Sequence, residues 1–376
     1  MKICITGAGI SGLTTARILA ENSYSVDIFE KENQIGGNLL EHTIDGTLVH
    51  LHGPHIFHTN SEEIWKFVNR FTKFAPYFHH VRGFVMGKSV PIPFNFESIE
   101  ILFGVEKAKF FREKLINLYG FGQNINIAKM LDAEDIDIKF LGKFIFQNIF
   151  KGYSEKQWGI PIEDINPTVL ARVPVNLSYD SRYFTDKYQG IPENGYLNML
   201  KNIANHKNIN LMLNKNISKK DIYDKYDYIF LSSPIDEFFD FEHGELSYRS
   251  LKFKKISPEL NLDRHENTIT NNFPNEFDFT RITKYGLIKK QTNQPIYIAE
   301  YPEEFKLGKN HRYYPIVNEL TSELNSRYQE QAKKMNIIPI GRLGRYQYLN
   351  MDQAVGSALS KVKEFLKKNL NKLIVN

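Results

Sequence analysis

The first thirty residues alternate between strand-forming, glycine-rich and helix-forming segments, and this order limits the possible folds. An apolar run at residues 3–6 leads into Gly7, Gly9 and Gly12, a helical stretch follows, and a second apolar run ends at Glu30, 18 residues after Gly12. Such a unit lets backbone N–H groups at a helix N-terminus approach a pyrophosphate, while the acidic side chain accepts hydrogen bonds from ribose hydroxyls. We predict a dinucleotide site; a glycine turn that serves only close helix packing is the alternative.

A second glycine pattern distinguishes between dinucleotides. The pair Gly36-Gly37 follows Glu30 and Lys31 in a predicted loop that would return over the cofactor. Many FAD enzymes carry such a pair and nicotinamide dehydrogenases rarely do, so the pattern favours FAD over an ordinary turn that needs positive φ. The residues assigned to the cofactor from these two patterns are Gly7, Gly9, Ile10, Ser11, Gly12, Glu30, Lys31, Gly37 and Asn38.

Composition limits the possible partners. With 376 residues the chain is too long for one typical core, and its net charge of +5 is spread along the sequence. This suits an anionic small substrate and does not indicate a nucleic-acid partner. Cys4 is the single cysteine, so a disulfide or thiolate metal site is excluded, and no metal is expected. Because the sequence shows neither a signal peptide nor 18 uninterrupted apolar residues, we predict a cytoplasmic protein without a membrane span.

Periodicity along the rest of the chain predicts further parts. Helical spacing dominates residues 96–165, whereas 166–182 is polar and rich in helix breakers. Alternating segments between 245 and 302 predict an antiparallel sheet. Strand-like runs near 209–233 and at 336–341, and an amphipathic helix from Asp352 to about Leu370, return the chain to its first domain.

The predicted fold class is therefore α/β, with a Rossmann-like FAD-binding domain, an inserted helical domain and an antiparallel β-sheet domain. The FAD-binding domain is discontinuous and takes residues 1–75, 183–243 and 330–376. The helical domain takes 96–182 and includes a mobile substrate loop at 166–182. The sheet domain takes 76–95 and 244–329.

Seven further motifs stand in order along nearly the whole chain: GPHIFHT (53–59), GYSEKQWG (152–159), ARVPV (171–175), YFTDKYQGIPENGY (183–196), EY (300–301), YYP (313–315) and GRLGRYQYLNMD (341–352). Together they resemble bacterial UDP-galactopyranose mutase. The resemblance implies an isomerase in which N5 of reduced FAD bonds to the anomeric carbon of a nucleotide sugar, the sugar recloses as a furanose, and no net redox occurs. It also implies a homodimer, an unidentified flavin reductant, and products that feed surface polysaccharides such as capsule or lipopolysaccharide.

The resemblance assigns roles by position in these motifs. Arg172 and Arg281 would clamp the diphosphate with charge-assisted bonds, while His55 and His58 would position the flavin and relay protons; these four are the predicted catalytic residues. The other predicted substrate-binding residues are Phe150, Tyr153 and Trp158 at the uridine, Tyr183, Tyr314 and Tyr348 at the diphosphate, and Glu300, His79 and Asn350 near the sugar. The cofactor set also gains His55, Phe57, His58, Arg342 and Asp352.

Taken without the motifs, these residues permit plainer interpretations. Arg172 could be a solvated loop cation and Arg281 an internal salt-bridge partner, while the histidines and tyrosines could be packing residues. A flavin oxidase or desaturase of the amine-oxidase type shares the glycine patterns and is the alternative from another reaction class. A non-catalytic flavin-binding regulator is a third interpretation.

Three positions near the sugar end differ from the pattern of the resembled family. His79 stands where Asn is usual, Lys284 where Glu is usual, and Asn350 where Asp is usual. A pocket that hydrogen-bonds hydroxyl groups discriminates strongly when those partners change. Two substrates therefore stay open: UDP-galactose, or a deoxy, epimeric or N-acetylated relative on UDP or dTDP.

Overall fold

The computed structural model describes residues 1–165, 173–260, 268–288 and 295–375, with side chains up to residue 369. The strands are β1 (Ile3–Thr6), β2 (Val26–Phe29), β3 (Glu41–Ile44), β4 (Thr47–His50), β5 (Phe57–Thr59), β6 (Phe74–Pro76), β7 (Val81–Val85), β8 (Lys88–Ile92), β9 (Asn124–Ile125), β10 (Val175–Asn176), β11 (Tyr188–Pro192), β12 (Ile209–Met212), β13 (Tyr228–Leu231), β14 (Tyr248–Lys255), β15 (Thr270–Asn272), β16 (Arg281–Tyr285), β17 (Ile296–Glu304), β18 (Tyr314–Pro315) and β19 (Ile337–Pro339). The helices are α1 (Ile10–Glu21), α2 (Glu62–Asn69), α3 (Phe96–Phe103), α4 (Val105–Tyr119), α5 (Ile127–Leu131), α6 (Ile136–Ile145), α7 (Gly152–Trp158), α8 (Gly195–Ala204), α9 (Lys219–Ile222), α10 (Ile235–Phe238), α11 (Glu319–Lys334), α12 (Gly341–Gly344) and α13 (Met351–Val375), with a π-helical segment at Phe146–Lys151.

The N-terminal unit builds a parallel five-stranded sheet of order β12-β2-β1-β13-β19. Helices α1, α8 and α13 cover one face, where Leu13 and Val355 are fully buried. On the other face Tyr328 of α11 packs against strand residues that include Cys4, a buried free thiol. The predicted Rossmann-like fold is confirmed, and each of its strands lies where the apolar runs indicated.

The C-terminal helix carries its apolar residues on one face as predicted. Val355, Leu359 and Val362 are buried, and Leu366 packs against the same core. The helix begins at Met351, one residue before the predicted start. Its N-terminus therefore lies within the last of the seven motifs, at Met351 and Asp352.

The second large sheet has seven strands in the order β18-β14-β17-β16-β15-β7-β8. Most of its pairs are antiparallel as predicted, including β14 with β17 and β16 with β17. The pair β15 and β7 is parallel, which the sequence did not indicate. These two strands are separated by the whole helical segment, so no hairpin fixes their direction.

The helices between residues 96 and 158 lie where the periodicity predicts them and share a buried core with β7, β8 and β10. In the segment predicted as a loop, Val175–Asn176 instead forms a short strand paired with Asn124–Ile125, because Val175 is fully buried in that core. The boundaries of the three predicted domains stay a prediction. Within the part of the chain described, each helix is too short or too polar to cross a membrane.

Candidate active site

A cavity of about 1260 Å³ is lined by residues of the parallel sheet, the antiparallel sheet and the helical segment. The loop after β1 and the start of α1 contribute Gly7, Gly9 and Ser11. The antiparallel sheet contributes Arg281 and Glu300. The sequence motifs that are far apart in the chain therefore meet around one space.

The two glycine patterns form one backbone cradle on the cavity wall. Gly9 and Gly36 pair as a parallel bridge, and the Gly36 N–H donates to the Ala8 carbonyl at 3.1 Å. A Cβ added to Gly37, whose φ is positive, would lie 3.3 Å from the Gly9 Cα, so glycine at position 37 favours the close approach of these two segments. Helix α1 begins here with neither a side-chain cap nor an acidic residue in its first turn, which leaves its N–H groups for a ligand pyrophosphate. The cradle fits a dinucleotide.

Glu30 ties this cradle together. Its buried carboxylate accepts from the Ala8 N–H at 2.6 Å and from the Glu32 N–H at 3.0 Å. The sequence predicted contacts to a ribose, and the structure adds these two backbone bonds. A carboxylate that holds the glycine turn has its remaining lone pairs for ligand hydroxyls.

The two histidines of the GPHIFHT motif both line the cavity, and different contacts hold each of them. The His55 backbone N–H donates to His50 Nδ1 at 3.0 Å, and burial lowers the pKa of the His55 imidazole well below its usual range. His58 lies on β5, stacks on Phe184 with ring centroids 3.7 Å apart, and bonds Asp186 at 2.9 Å. The imidazole of His55 is therefore neutral at neutral pH, whereas His58 is held between a ring and a carboxylate.

Strand register explains how Arg281 meets Glu300. The two residues are direct partners on β16 and β17, so their side chains share one face, with Arg281 Nε 3.6 Å from Glu300 Oε2. Arg281 Nε also donates to the Tyr153 hydroxyl at 3.1 Å. Burial alone would lower the pKa of Arg281, but the oxygens of Tyr153 and Glu300 raise it well above its usual range. A fully charged guanidinium therefore faces the cavity, with 27% of its side chain exposed there.

Burial also acts on the partner carboxylate. It raises the pKa of Glu300, and the Arg281 charge works in the opposite direction. Glu300 Oε1 is buried without a hydrogen-bond partner in the described structure. An unpaired oxygen on a cavity wall is the arrangement expected of a group that completes its bonding with a ligand.

Aromatic side chains make up much of the remaining wall. Phe150 lies in the π-helical segment, and Tyr153 and Trp158 follow on α7. Tyr314 and Tyr348 stack with centroids 5.5 Å apart. Flat rings of this kind can stack on a nucleobase.

Arg342 joins the segments that carry these tyrosines. Its guanidinium donates to the carbonyls of Tyr313 at 2.9 Å and Leu349 at 2.8 Å, and it lies over the Tyr348 ring at 4.6 Å. These bonds use two of its five N–H donors. Arg342 therefore orders the wall as well as contributing charge to it.

Two sequence models of known protein families match segments of this chain that contribute to the cavity. The sequence model of the UDP-galactopyranose mutase family matches residues 148–348, and that of an NAD(P)-binding Rossmann-like domain matches residues 5–71. A probable UDP-galactopyranose mutase of Klebsiella pneumoniae is 34% identical over 97% of this chain and 94% of its own. The chain belongs to the UDP-galactopyranose mutase family. A dTDP-fucopyranose mutase of Escherichia coli is 33% identical over 98% of this chain and 99% of its own.

A crystal structure of reduced UDP-galactopyranose mutase shares this fold, with a TM-score of 0.72 at 17% identity over 97% of this chain and 94% of that one. The protein is thus an isomerase of a flavin-dependent family, and FAD is its cofactor. The oxidase interpretation is not favoured, because the likeness to mutases extends over nearly the whole chain.

Most residues expected at the mutase site surround this cavity. The predicted substrate residues that line it are Phe150, Tyr153, Trp158, Tyr183, Arg281, Glu300, Tyr314, Tyr348, Asn350 and His79. The predicted cofactor residues that line it are Gly7, Gly9, Ile10, Ser11, Glu30, Lys31, Gly37, Asn38, His55, His58 and Arg342. Arg172 lies outside the described residues.

Three predicted cofactor residues are absent from the described cavity wall. A Cβ on Gly12 would lie 2.0 Å from the Gly7 carbonyl oxygen, so this glycine serves the packing of α1 on the turn. Phe57 precedes His58 on β5 and points into the core, since neighbouring strand residues face opposite sides. Asp352 lies in the first turn of α13, where Met351 and Gln353 line the cavity instead.

The three positions that differ from the family pattern are not equivalent. His79 lines the cavity, bonds the Tyr77 hydroxyl at 3.1 Å, and is neutral because burial lowers its pKa to about 3. Asn350 also lines it. Lys284 lies three residues after Arg281 on β16, on the opposite face, and is buried away from the cavity. The expectation that Lys284 faces the sugar is therefore wrong.

Sequence reasoning missed a cluster beside the flavin motif. His52 bonds the Tyr313 hydroxyl, and its ring lies 5.4 Å from that of His311. Burial lowers the pKa of His52 to about 4. All three line the cavity. His52 directly precedes GPHIFHT and Tyr313 opens the YYP motif, so adjacency to both motifs was the available signal.

Replacement of Glu30 is expected to weaken FAD binding. Glu30→Gln removes the charge from two hydrogen bonds that hold the glycine turn, and such bonds contribute roughly 1.5–3 kcal/mol each. We expect FAD affinity to fall at least about tenfold, measured by titration of apoprotein with FAD. Glu245→Gln at an exposed position is the matched control. Unchanged FAD affinity of Glu30→Gln would contradict this assignment of the cradle.

Proposed function

We propose that this protein interconverts the pyranose and furanose forms of a sugar carried on a nucleoside diphosphate. The observation that carries the proposal is the placement of Arg281 and its tyrosine neighbours in the same cavity as the dinucleotide cradle. The direct test is chromatography of a nucleotide sugar incubated with enzyme whose FAD has been reduced. New furanose product supports the proposal, and unchanged starting material contradicts it.

When bound and reduced, FAD supplies a nucleophilic N5 for the anomeric carbon, and it is regenerated without net redox. The protein's share of the work is to orient cofactor and sugar and to stabilise charge. The backbone cradle at Gly9 and Gly37 and the carboxylate of Glu30 would hold the dinucleotide. His55 and His58 border the same space, where a neutral His55 offers one ring nitrogen as a hydrogen-bond donor and the other as an acceptor.

Arg281 is proposed to hold the diphosphate as it leaves and returns. Negative charge concentrates on the pyrophosphate when its bond to the sugar breaks, and a fixed guanidinium stabilises that charge. Tyr183, Tyr314 and Tyr348 are proposed to donate to the same oxygens. Arg172 is proposed as the second cation, on the strength of the motif alone.

The nucleobase is proposed to stack near the π-helical segment. Phe150, Tyr153 and Trp158 present aromatic surface on that side of the cavity wall. Base stacking of this kind is tolerant of the base, so it accepts uracil or thymine. The relatives from Klebsiella pneumoniae and Escherichia coli are named for a UDP-sugar and a dTDP-sugar respectively.

The sugar itself is proposed to be galactose or a deoxy, epimeric or N-acetylated relative on UDP or dTDP. The neutral imidazole of His79 and the amide of Asn350 are the groups that would read its hydroxyls, together with Glu300. Lys284 is removed from this set by its position on the far face of β16. Specificity then depends on very few polar groups.

Replacement of His79 is expected to change sugar choice and leave diphosphate binding intact. In a panel of UDP- and dTDP-sugars, His79→Asn should alter the ratio of kcat/KM between the best and second substrate by roughly tenfold, because a hydrogen-bonding partner of the sugar changes. The inhibition constant of UDP should stay the same. Tyr77→Phe, which removes the bond to His79 Nδ1, is the companion variant. An unchanged substrate ranking in both variants would contradict a sugar contact for His79.

The cellular setting is proposed from the same family membership. We propose a cytoplasmic homodimer, a separate reductant for the flavin, and a product used in capsule or lipopolysaccharide synthesis. Light scattering of the purified holoenzyme tests the dimer, with a monomer mass as the contradicting result.

A further inference from the structure

Lys156 lies on α7 between two residues that line the cavity, but the Lys156 side chain itself does not line it. Its ammonium donates to the backbone carbonyls of Phe273, of Phe277 at 2.8 Å and of Phe279 at 3.2 Å. These bonds use all three donors of the group. The lysine is therefore a fixed cation inside a ring of carbonyl oxygens.

The carbonyl ring belongs to the loop that delivers Arg281. The Phe273 N–H donates to the Thr280 carbonyl at 2.8 Å, which closes the loop, and the Thr280 N–H donates to the Glu300 carbonyl at 2.9 Å. Arg281 follows at once as the first residue of β16. The position of this loop thus sets the position of the guanidinium.

Independent contacts hold the same loop against the π-helical segment and the start of α7, and a further bond fixes the other end of α7. The Asn275 side-chain amide donates to the Asn148 carbonyl at 3.0 Å. A Cβ on Gly152 would lie 2.2 Å from Asn275 Oδ1, so glycine permits this close approach. At the other end of α7, Arg249 Nε donates to the Gln157 carbonyl at 3.0 Å and caps the helix. Helix and loop form one packed unit.

We propose that Lys156 is a positioning residue for the Arg281 and Tyr153 pair, acting through the loop of residues 273–280. Its ammonium fixes the loop to α7 and so sets where the guanidinium and the phenol stand toward the diphosphate. The inference rests on the proposed function. A displacement of about 1 Å in such a group costs up to roughly a hundredfold in rate.

The hydrogen bonds between the Lys156 ammonium and the loop are sensitive to pH. Burial lowers the pKa of Lys156 to about 8, while the nearby carboxylates Glu276 and Asp278 oppose that shift. Arg249, on the adjacent β14, is a cation that donates to the Lys156 backbone carbonyl at 3.4 Å. Above the Lys156 pKa a neutral amine has two donors for three carbonyls and no charge to strengthen them. Diphosphate binding should therefore weaken as pH rises through this value.

The test compares four oxidised holoenzymes: wild type, Lys156→Met, Lys156→Arg and the exposed control Lys139→Met. UDP affinity is measured by titration from neutral to alkaline pH, and kcat and KM are measured after reduction. We expect Lys156→Met to weaken UDP binding at least about tenfold at neutral pH and to lose the alkaline decline. Lys156→Arg should keep tight binding to higher pH, because a guanidinium does not titrate there. Lys139→Met should match wild type.

Two results would overturn the inference. One is wild-type UDP affinity in a folded, FAD-loaded Lys156→Met. The other, which applies even if that variant does not fold, is the same alkaline decline in wild type and Lys156→Arg. Failure of the proposed function looks different, because the reduced wild type would then bind UDP and fail to isomerise any nucleotide sugar.

Discussion

Arg281→Ala should lower kcat/KM for the nucleotide sugar on the order of a hundredfold or more, the usual effect of removing one fixed charge-stabilising donor. The variant loses the guanidinium that faces the cavity from β16, and with it the hydrogen bond to Tyr153 and the ion pair with Glu300. It should still fold and stay yellow, because the FAD cradle lies on a different sheet. Steady-state kinetics with reduced enzyme and flavin absorbance check both parts.

Two further variants make this result specific. Arg281→Lys keeps the charge but not the planar fork, so it should recover a part of the lost rate. Arg327→Ala removes an exposed arginine of α11 that pairs with Glu323, and it should leave the rate unchanged. Near-normal rates in Arg281→Ala would mean that the diphosphate lies elsewhere.

Arg172→Ala is expected to resemble Arg281→Ala if both cations hold the diphosphate. The prediction depends on the ARVPV motif alone. Its kinetics are measured with the same reduced enzyme and the same flavin control. Full activity in Arg172→Ala beside a disabled Arg281→Ala would assign the diphosphate to one guanidinium.

Local patterns predicted the parallel sheet well, since each strand is an apolar run beside a glycine turn or a polar break. Strands β1 and β2 are fixed by the burial of their own residues, and the glycines between them by the close approach of neighbouring backbone. The apolar face of α13 follows from helical spacing in the same way. Such features depend on neighbours in the sequence, and the sequence displays them directly.

The site needed information that no local pattern carries. Arg281 meets Glu300 only because β16 and β17 pair in one particular register, and that same register turns Lys284 away from the cavity. The parallel pairing of β15 with β7 joins segments separated by the helical insertion. Lys156 binds backbone carbonyl oxygens, and because every residue type carries one, the sequence gives no sign of these contacts.

Enzyme with oxidised FAD should be inactive, and reduction alone should switch it on. The nucleophile proposed here is N5 of the electron-rich reduced cofactor, whereas the electron-poor ring of oxidised FAD does not attack the anomeric carbon. The expected effect is the largest of any in this account, from background to full turnover in the same protein sample. Because no electrons are consumed overall, one reduction should support many turnovers.

The decisive measurement is furanose formation from a nucleotide sugar by one FAD-loaded sample before reduction, after reduction with dithionite, and after reoxidation in air. Our account predicts product only in the reduced state, with its amount far above that of the enzyme. Equal rates in all three states would contradict it.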